Sequence, residues 1–193
     1  MKKILVVLLC LGLVGCANPS YFRRNSKFIP NNWSKIAVLP FSGDMRFTQV
    51  ATDTLNLHLL EQDDFVLVEP STIQFAITKI GVKNDVNNAI TILEAQKIGE
   101  SVNAEVVLLG NITSYNNGLT LNAFATVKMI DTKTGQIVSV SHKPSGLLMG
   151  WSEHQAAVAA VRRTAKDMLK ALRELANLNK IPQHTKESSD SDT

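Results

Sequence analysis

The hydrophobic positions along the chain follow two different periods, and together they predict a domain that mixes helices and strands. A short apolar run at residues 36–39, ended by Pro40, is typical of a buried strand. Residues 65–68 form a second such run, and residues 45–62 between the two carry apolar side chains at helical spacing, with Asp44 as the N-cap. The domain is therefore predicted to begin as strand, helix, strand.

Two further helices are predicted before the period changes. Pro70 opens a short helix and Gly81 closes it, because proline suits the first helical position and glycine the position just past the end. Residues 89–102 form the next predicted helix, with Asn103 as its C-cap. Its apolar side is predicted to be Ile90, Leu93, Ile98 and Val102.

The following residues alternate as strands do. Residues 104–115 and 119–130 are predicted to pair through an Asn-Asn-Gly turn, which is a strong hairpin signal. A second tight turn at residues 131–135 leads to a strand at residues 137–141. These three strands are predicted to form an antiparallel meander.

The last predicted element is a helix over residues 152–176, where Ser152 and Gln155 form a capping box before a continuous apolar stripe. Residues 179–193 are polar and rich in Ser and Asp, so we expect them to be disordered. The predicted fold class is α/β (α+β), a mixed sheet of about five strands in the order β-α-β-α-α-β-β-β-α. The domain is expected to span residues 35–178.

The first residues are predicted to be an export signal. Two lysines precede an apolar stretch at residues 4–14, which is shorter than the roughly 20 residues that cross a bilayer. The sequence Leu-Val-Gly-Cys that ends at Cys16 resembles the lipobox of bacterial lipoproteins. The resemblance implies that residues 1–15 are removed and that Cys16 is acylated, and Ala17 after it implies the outer membrane. An ordinary secretory signal is the alternative. Residues 16–34 are predicted to be the lipid anchor and a tether, without helical or strand period.

Composition limits the possible functions. The chain has 193 residues, 45% hydrophobic and 19% charged, which suits one domain with one core. The net charge is +3, but two of the 20 basic residues lie in the predicted signal, and 18 basic against 17 acidic residues leave +1. This balance gives no argument for nucleic acid as a partner. Because Cys10 lies in the predicted signal, Cys16 is the one cysteine left, and an internal disulfide is excluded.

Four stretches of the chain resemble the CsgG family of bacterial outer-membrane lipoproteins. They are residues 36–41, 65–69, 98–112 and 127–137. The most specific part is the glycine-and-alanine entry to the third strand, followed by the Asp-Thr-Lys-Thr-Gly turn in the last stretch. The family's periplasmic domain is similar in fold to the N-terminal domain of TolB and to the lipoproteins LpoB and FlgO. The resemblance implies such a domain over about residues 35–175.

The chain departs from CsgG in one respect. CsgG inserts long membrane-spanning hairpins into this scaffold, and each spanning strand needs about 9–11 residues. One candidate place is the minimal Asn-Asn-Gly turn, and the other is residues 141–151, which is too short for a spanning pair. We therefore expect no channel from this chain alone.

No catalytic or metal-binding pattern is recognisable. The four histidines, His58, His142, His154 and His184, share no metal-ligand spacing, and the loop after the first strand lacks the Gly-Lys-Ser/Thr pattern of a phosphate-binding loop. The adjacent carboxylates Asp63 and Asp64 are typical of a solvated turn. The sequence therefore predicts a protein that is not an enzyme and binds no cofactor.

Two surface features are candidates for contact. Arg162, Lys166, Lys170 and Arg173 follow helical spacing beside the apolar stripe, and they suit either lipid phosphates or an acidic partner. The i,i+4 pairs Arg163–Asp167 and Lys170–Glu174 favour an ordinary solvated face instead. The second feature is the loop of Leu147, Leu148, Met149 and Trp151, which either folds under the last helix or contacts an oligomer or partner.

The function predicted from these patterns is that of a periplasm-facing outer-membrane lipoprotein, anchored through Cys16, in envelope assembly or secretion. It is expected to act as an oligomeric or adaptor component with a protein partner in the periplasm, and a homo-oligomer is one form of this. The alternatives are an LpoB-like regulator of a peptidoglycan synthase and a flagellar FlgO-like lipoprotein. An LpoB-like regulator needs a long tether, whereas residues 17–34 span on the order of 60 Å when fully extended.

Overall fold

A computed structural model describes residues 20–25, 33–62, 65–82, 89–116, 121–146 and 152–178. Its helices and strands follow the predicted order, with two additional strands. The helices are α1 (Met45–Leu60), α2 (Pro70–Ile80), α3 (Ile92–Ser101) and α4 (Glu153–Leu178). The strands are β1 (Tyr21–Arg24), β2 (Lys35–Val38), β3 (Ser42–Gly43), β4 (Val66–Leu67), β5 (Val106–Asn116), β6 (Leu121–Asp131) and β7 (Ile137–Pro144).

All seven strands belong to one mixed sheet in the order β1-β7-β6-β5-β2-β4, with β3 pairing β5 beside β2. β2 is parallel to β4 and β5, whereas β5, β6 and β7 form the antiparallel meander that the sequence predicts. The α/β class is confirmed, and the sheet has more strands than the five expected.

β1 lies in the segment predicted to be a tether. It pairs antiparallel with β7, from Tyr21 opposite His142 to Arg24 opposite Ser139. Its sequence places two aromatic residues and then two arginines side by side, so it lacks the alternation that identifies a strand. Phe22 packs against the core, and the Arg24 guanidinium lies 2.5 Å from the Glu174 carboxylate of α4. Tertiary contacts hold this strand, which is why the pattern did not predict it.

Helices cover the sheet on both faces. The residues of β2 alternate between the two sides: Ile36 and Val38 contact the cluster that includes α1 and α4, whereas Ala37 and Leu39 contact the cluster that includes α2 and α3. A run buried on both faces is what a central parallel strand requires. Trp33, at the end of the segment predicted to be a tether, is buried in the core on the α1 and α4 side.

The predicted helix ends are mostly confirmed. The Asp44 side chain caps α1, Gly81 ends α2 in the left-handed conformation at φ 76°, and the Ser152 and Gln155 groups bond to each other's backbone at the start of α4. The prediction for α3 was wrong at its start. The helix begins at Ile92 with a Thr91–Glu94 capping box, so its inward face is formed by Ala95, Ile98 and Gly99, and Leu93 is exposed.

Gly110 is required by a close approach within the core. A Cβ at this position of β5 would lie 2.3 Å from the Phe41 ring, and Phe41 is buried against the α1 and α4 side of the sheet. Contacts this short do not occur between carbon atoms, so the ring occupies the space that a side chain would need. Residue 110 must therefore be glycine if Phe41 is to remain where it is.

Candidate functional site

The described residues hold no group of three or more His, Cys, Asp or Glu side chains placed to bind a metal ion. The histidines lie apart: His58 is on α1, where its Nδ1 lies 3.7 Å from the Glu61 carboxylate, and His142 is on β7, hydrogen-bonded to Thr126 at 2.8 Å. No helix of the described ranges has both the length and the hydrophobicity to cross a membrane. The features that remain are surfaces.

The predicted basic stripe lies on the exposed face of α4. Arg162, Lys166, Lys170 and Arg173 are all exposed. The last three line an open depression of about 400 Å³ between α4 and the end of α1, together with His58, Glu61 and Glu174.

Neighbouring groups partly compensate the charge of this stripe. Lys170 Nζ lies 3.9 Å from the Glu174 carboxylate, and Arg173 donates a hydrogen bond to Gln62. The predicted Arg163–Asp167 pair was wrong: Asp167 accepts a hydrogen bond from Ser141 at 2.7 Å and lies 3.1 Å from Lys143, because it faces β7 rather than Arg163 on the preceding turn of its own helix. The stripe mixes basic and acidic groups, as on an ordinary solvated helix face.

A hydrogen-bonded ion cluster ties the start of α1 to the sheet and to α4. Arg46 bonds to Asp44 at 2.8 Å and to Glu153 at 2.6 Å, and the Ser114 hydroxyl donates to Asp44. Hydrogen bonding from Arg46 lowers the pKa of the Asp44 carboxyl to about 2, with burial acting in the opposite direction. We call the region around Asp44, Arg46, Ser114 and Glu153 the Tyr115 end of the sheet, after the exposed tyrosine near the end of β5.

The sheet face opposite α4 carries a stack of rings across three strands. Tyr21 of β1 lies on His142 of β7 with ring centres 5.3 Å apart, and Phe124 of β6 lies on the other side of His142 at 5.6 Å. Beside the stack, Arg23 and Lys128 line a shallow groove of about 520 Å³. No pattern in the sequence indicated this arrangement, because three separate strands contribute to it.

Large apolar side chains remain exposed on β4, at the C-terminal end of α1 and on α2, two helices that pack on opposite faces of the sheet. Val66 is on β4 itself, Leu57 and Leu60 are on α1, which contacts β4, and Phe75 is on α2, which follows β4 in the chain. Each is at least 60% exposed. We call these four residues the β4-edge patch. Sequence reasoning missed it, although Leu57 and Leu60 fall outside the apolar face of α1 and so carried a signal.

Several predicted site residues lie outside the described residues. They are the lipidation residue Cys16 and the contact loop residues Leu147, Leu148, Met149 and Trp151. The adjacent carboxylates Asp63 and Asp64, the Asn117-Gly118 part of the hairpin turn and the tail at residues 179–193 also lie outside. On one side of the contact loop, Gly146 has a φ of 90° and packs against the Arg163 guanidinium.

No known protein family and no curated protein matches the chain. Among solved structures, a dodecamer of a PelC variant from Paraburkholderia phytofirmans is similar, with 15% identity, a TM-score of 0.52 and coverage of 78% of this chain and 98% of that one. The C-terminal domain of LpoB from Salmonella enterica has 20% identity and a TM-score of 0.47, covering 57% of this chain and 81% of that one. Lipoprotein GNA1162 from Neisseria meningitidis has 15% identity and a TM-score of 0.47, covering 79% and 99%. At such identities the similarity concerns the fold alone.

Proposed function

We propose that the chain is a non-catalytic lipoprotein of the bacterial envelope, anchored at the outer membrane through Cys16, that acts in assembly or secretion by binding protein. The observation that carries the proposal is the β4-edge patch. Isolated apolar side chains on a surface need no explanation, but several on a free edge strand and on the helices before and after it in the chain favour a protein contact. The fold supports the proposal too, since the similar PelC structure is a dodecamer.

The edge itself contributes to this contact. β4 pairs with β2 through Lys35 opposite Val66 and Ile36 opposite Leu67, and no described residue pairs its other side. An unpaired edge offers backbone donors and acceptors to a neighbouring chain. Val66, 61% exposed, would be covered by such a neighbour. We therefore expect either a second copy or an adaptor's target to bind along β4.

The experiment places a charge in the patch and compares it with a charge elsewhere. Leu60→Asp and Val66→Asp both change exposed side chains, so the fold should be retained. Leu93→Asp is the matched control, because Leu93 is 61% exposed on α3 and lies outside the patch. Crosslinking in intact cells with mass spectrometry, and native mass spectrometry of the purified protein, should show complexes lost in the first two variants and kept in the control. Unchanged complexes in all three variants would refute the patch as a contact.

The anchor is tested separately. Cys16→Ser should move the protein from the membrane fraction to the soluble periplasm, since acyl chains contribute about 0.8 kcal/mol per buried CH₂. Absence of an acyl label on the wild-type protein, or a serine variant that stays with the membrane, would exclude acylation as the anchor.

We also propose the loop of Leu147, Leu148, Met149 and Trp151 as a second contact. In the Cys16→Ser background, Leu148→Asp should leave the melting temperature unchanged and abolish association. A large fall in melting temperature would instead mean that the loop belongs to the core, where an unpaired charge is costly.

A further inference from the structure

β1 fixes how close the domain lies to the proposed anchor. Only residues 17–20 separate Cys16 from Tyr21, the first residue of the strand. All four residues of β1 pair with β7, and the ion pair of Arg24 with Glu174 holds its far end. Five residue steps span at most about 17 Å, so an acyl group on Cys16 keeps Tyr21 within that distance of the bilayer surface.

The strand register identifies which end of the sheet is near the anchor. Because β1 runs antiparallel to β7, the chain before Tyr21 leaves the sheet in the direction in which β7 continues from His142 to Pro144. Pro144 lies opposite Phe124 near the start of β6, and Tyr115 of β5 lies opposite Asn122, further in the same direction. The anchor therefore leaves the domain toward the Tyr115 end.

The chemistry of the Tyr115 end suits a lipid interface. Met45 and Tyr115 are 62% and 60% exposed there. Tyrosine is enriched at membrane interfaces, where its ring is buried and its hydroxyl reaches water. The charged groups at this end, Arg46 with Asp44 and Glu153, are bonded to one another, which lowers the cost of bringing them to the headgroups.

We propose that the Tyr115 end of the sheet faces the bilayer and that Met45 and Tyr115 contact its headgroup region. The inference rests on the proposed function, because it requires an acylated Cys16. The opposite end of β6, at the turn that follows Asp131, points away from the membrane. Lys133, Thr134 and Gln136 are exposed there.

The test measures the distance of each end from lipid in the full acylated protein. Cys10 lies in the predicted signal and Cys16 is acylated, so an introduced cysteine is the one free thiol. Thr113→Cys reports on the Tyr115 end without altering the proposed contact residues, and Lys133→Cys is the matched control at the other end. Because Thr113 lies opposite Phe124, the two ends differ by the length of β6 from Phe124 to Asp131, about 24 Å.

Each thiol is labelled with an environment-sensitive fluorophore, and the protein is bound to phosphatidylethanolamine–phosphatidylglycerol vesicles containing a headgroup nitroxide lipid. We expect at least about twofold stronger quenching at 113 than at 133, given the separation of the two levels. Equal quenching in protein that floats with the vesicles overturns the orientation and leaves the anchor intact. If the label at 113 is shielded from iodide in solution but is not quenched by the nitroxide lipid, a protein covers this end. This result also overturns the proposed orientation.

Two further results distinguish a direct lipid contact from proximity that the anchor and its short linker impose. Protein that does not float with the vesicles refutes the anchor in the proposed function, and the orientation falls with it. Inserting ten Gly/Ser residues between Ser20 and Tyr21 lengthens the linker by about 33 Å. If Met45 and Tyr115 contact lipid, the stronger quenching at 113 persists in this variant. Its loss shows that the linker length alone held the end near lipid and overturns the contact.

Discussion

Gly110→Ala tests the packing at the centre of the core. The new Cβ would lie 2.3–2.5 Å from three carbon atoms of the Phe41 ring, so either the ring or β5 must move by about 1 Å or more. Overpacking of this kind costs about 1–3 kcal/mol, and the smaller freedom of alanine in the unfolded chain returns about 0.4–1 kcal/mol. We expect a net loss of about 1–2 kcal/mol, which for a domain of this size lowers the melting temperature by about 2–8 °C.

The assay is urea and thermal unfolding of the soluble Cys16→Ser protein. Gly81→Ala is the control: its Cβ meets nothing within 4 Å, and its φ of 76° costs about 1 kcal/mol irrespective of neighbours. Phe41→Leu removes the obstructing ring edge, so the double variant with Gly110→Ala should show a favourable coupling of about 1 kcal/mol or more, and none with Gly81→Ala. A Gly110→Ala protein as stable as the parent, or a coupling of zero, would refute the packing of Phe41 on β5.

Three further predictions concern polar groups and the membrane. Asp131 is buried and accepts hydrogen bonds from the Trp33 indole at 3.2 Å and the Thr134 amide at 2.8 Å. Asp131→Ala removes this buried acceptor and should lower the free energy of unfolding in urea by about 1–3 kcal/mol, and Asp131→Asn by less. Because the pKa of Asp44 is lowered from 3.8 to about 2, its ionised form stabilises the fold above pH 4, and this contribution is lost as the pH falls toward 2. The difference in unfolding free energy between the parent and Asp44→Asn should therefore shrink over that range. A difference that stays constant with pH would contradict the lowered pKa. Purified protein in planar bilayers should give no stable conductance, because the sequence has no room for a membrane-spanning hairpin at either candidate place. Reproducible single-channel steps would contradict this expectation.

The sequence predicted those elements whose signals are local. Asp44, Gly81 and the Ser152–Gln155 box are short-range patterns, and each marks the helix end that it predicted. The meander was predictable because Ala123, Ala125, Val127 and Met129 alternate along β6 and all face the core. Much of what the sequence did not reveal depends on distant partners.

One miss was local and one was not. Leu93 is three residues from Ile90, but the Thr91–Glu94 capping box starts α3 after Ile90, and within the helix Ala95 and Ile98 face the core while Leu93 faces solvent. The ring stack of Tyr21, His142 and Phe124 exists only because β1, β7 and β6 are neighbours in one register. No local pattern can predict a neighbour that lies more than 100 positions away in the chain.

β1 also bears on the choice between the functions that the sequence left open. A tether of residues 17–34 would reach on the order of 60 Å, but pairing with β7 withdraws residues 21–24 from it and limits the distance between Cys16 and the sheet to at most about 17 Å. A regulator that crosses the peptidoglycan needs the longer reach, whereas a component that works against the membrane needs the shorter one. The contacts of Phe22 with the core and of Arg24 with Glu174 oppose release of the strand. With Cys16 as the anchor, this geometry favours an assembly or secretion component held at the membrane over a regulator of cell-wall synthesis.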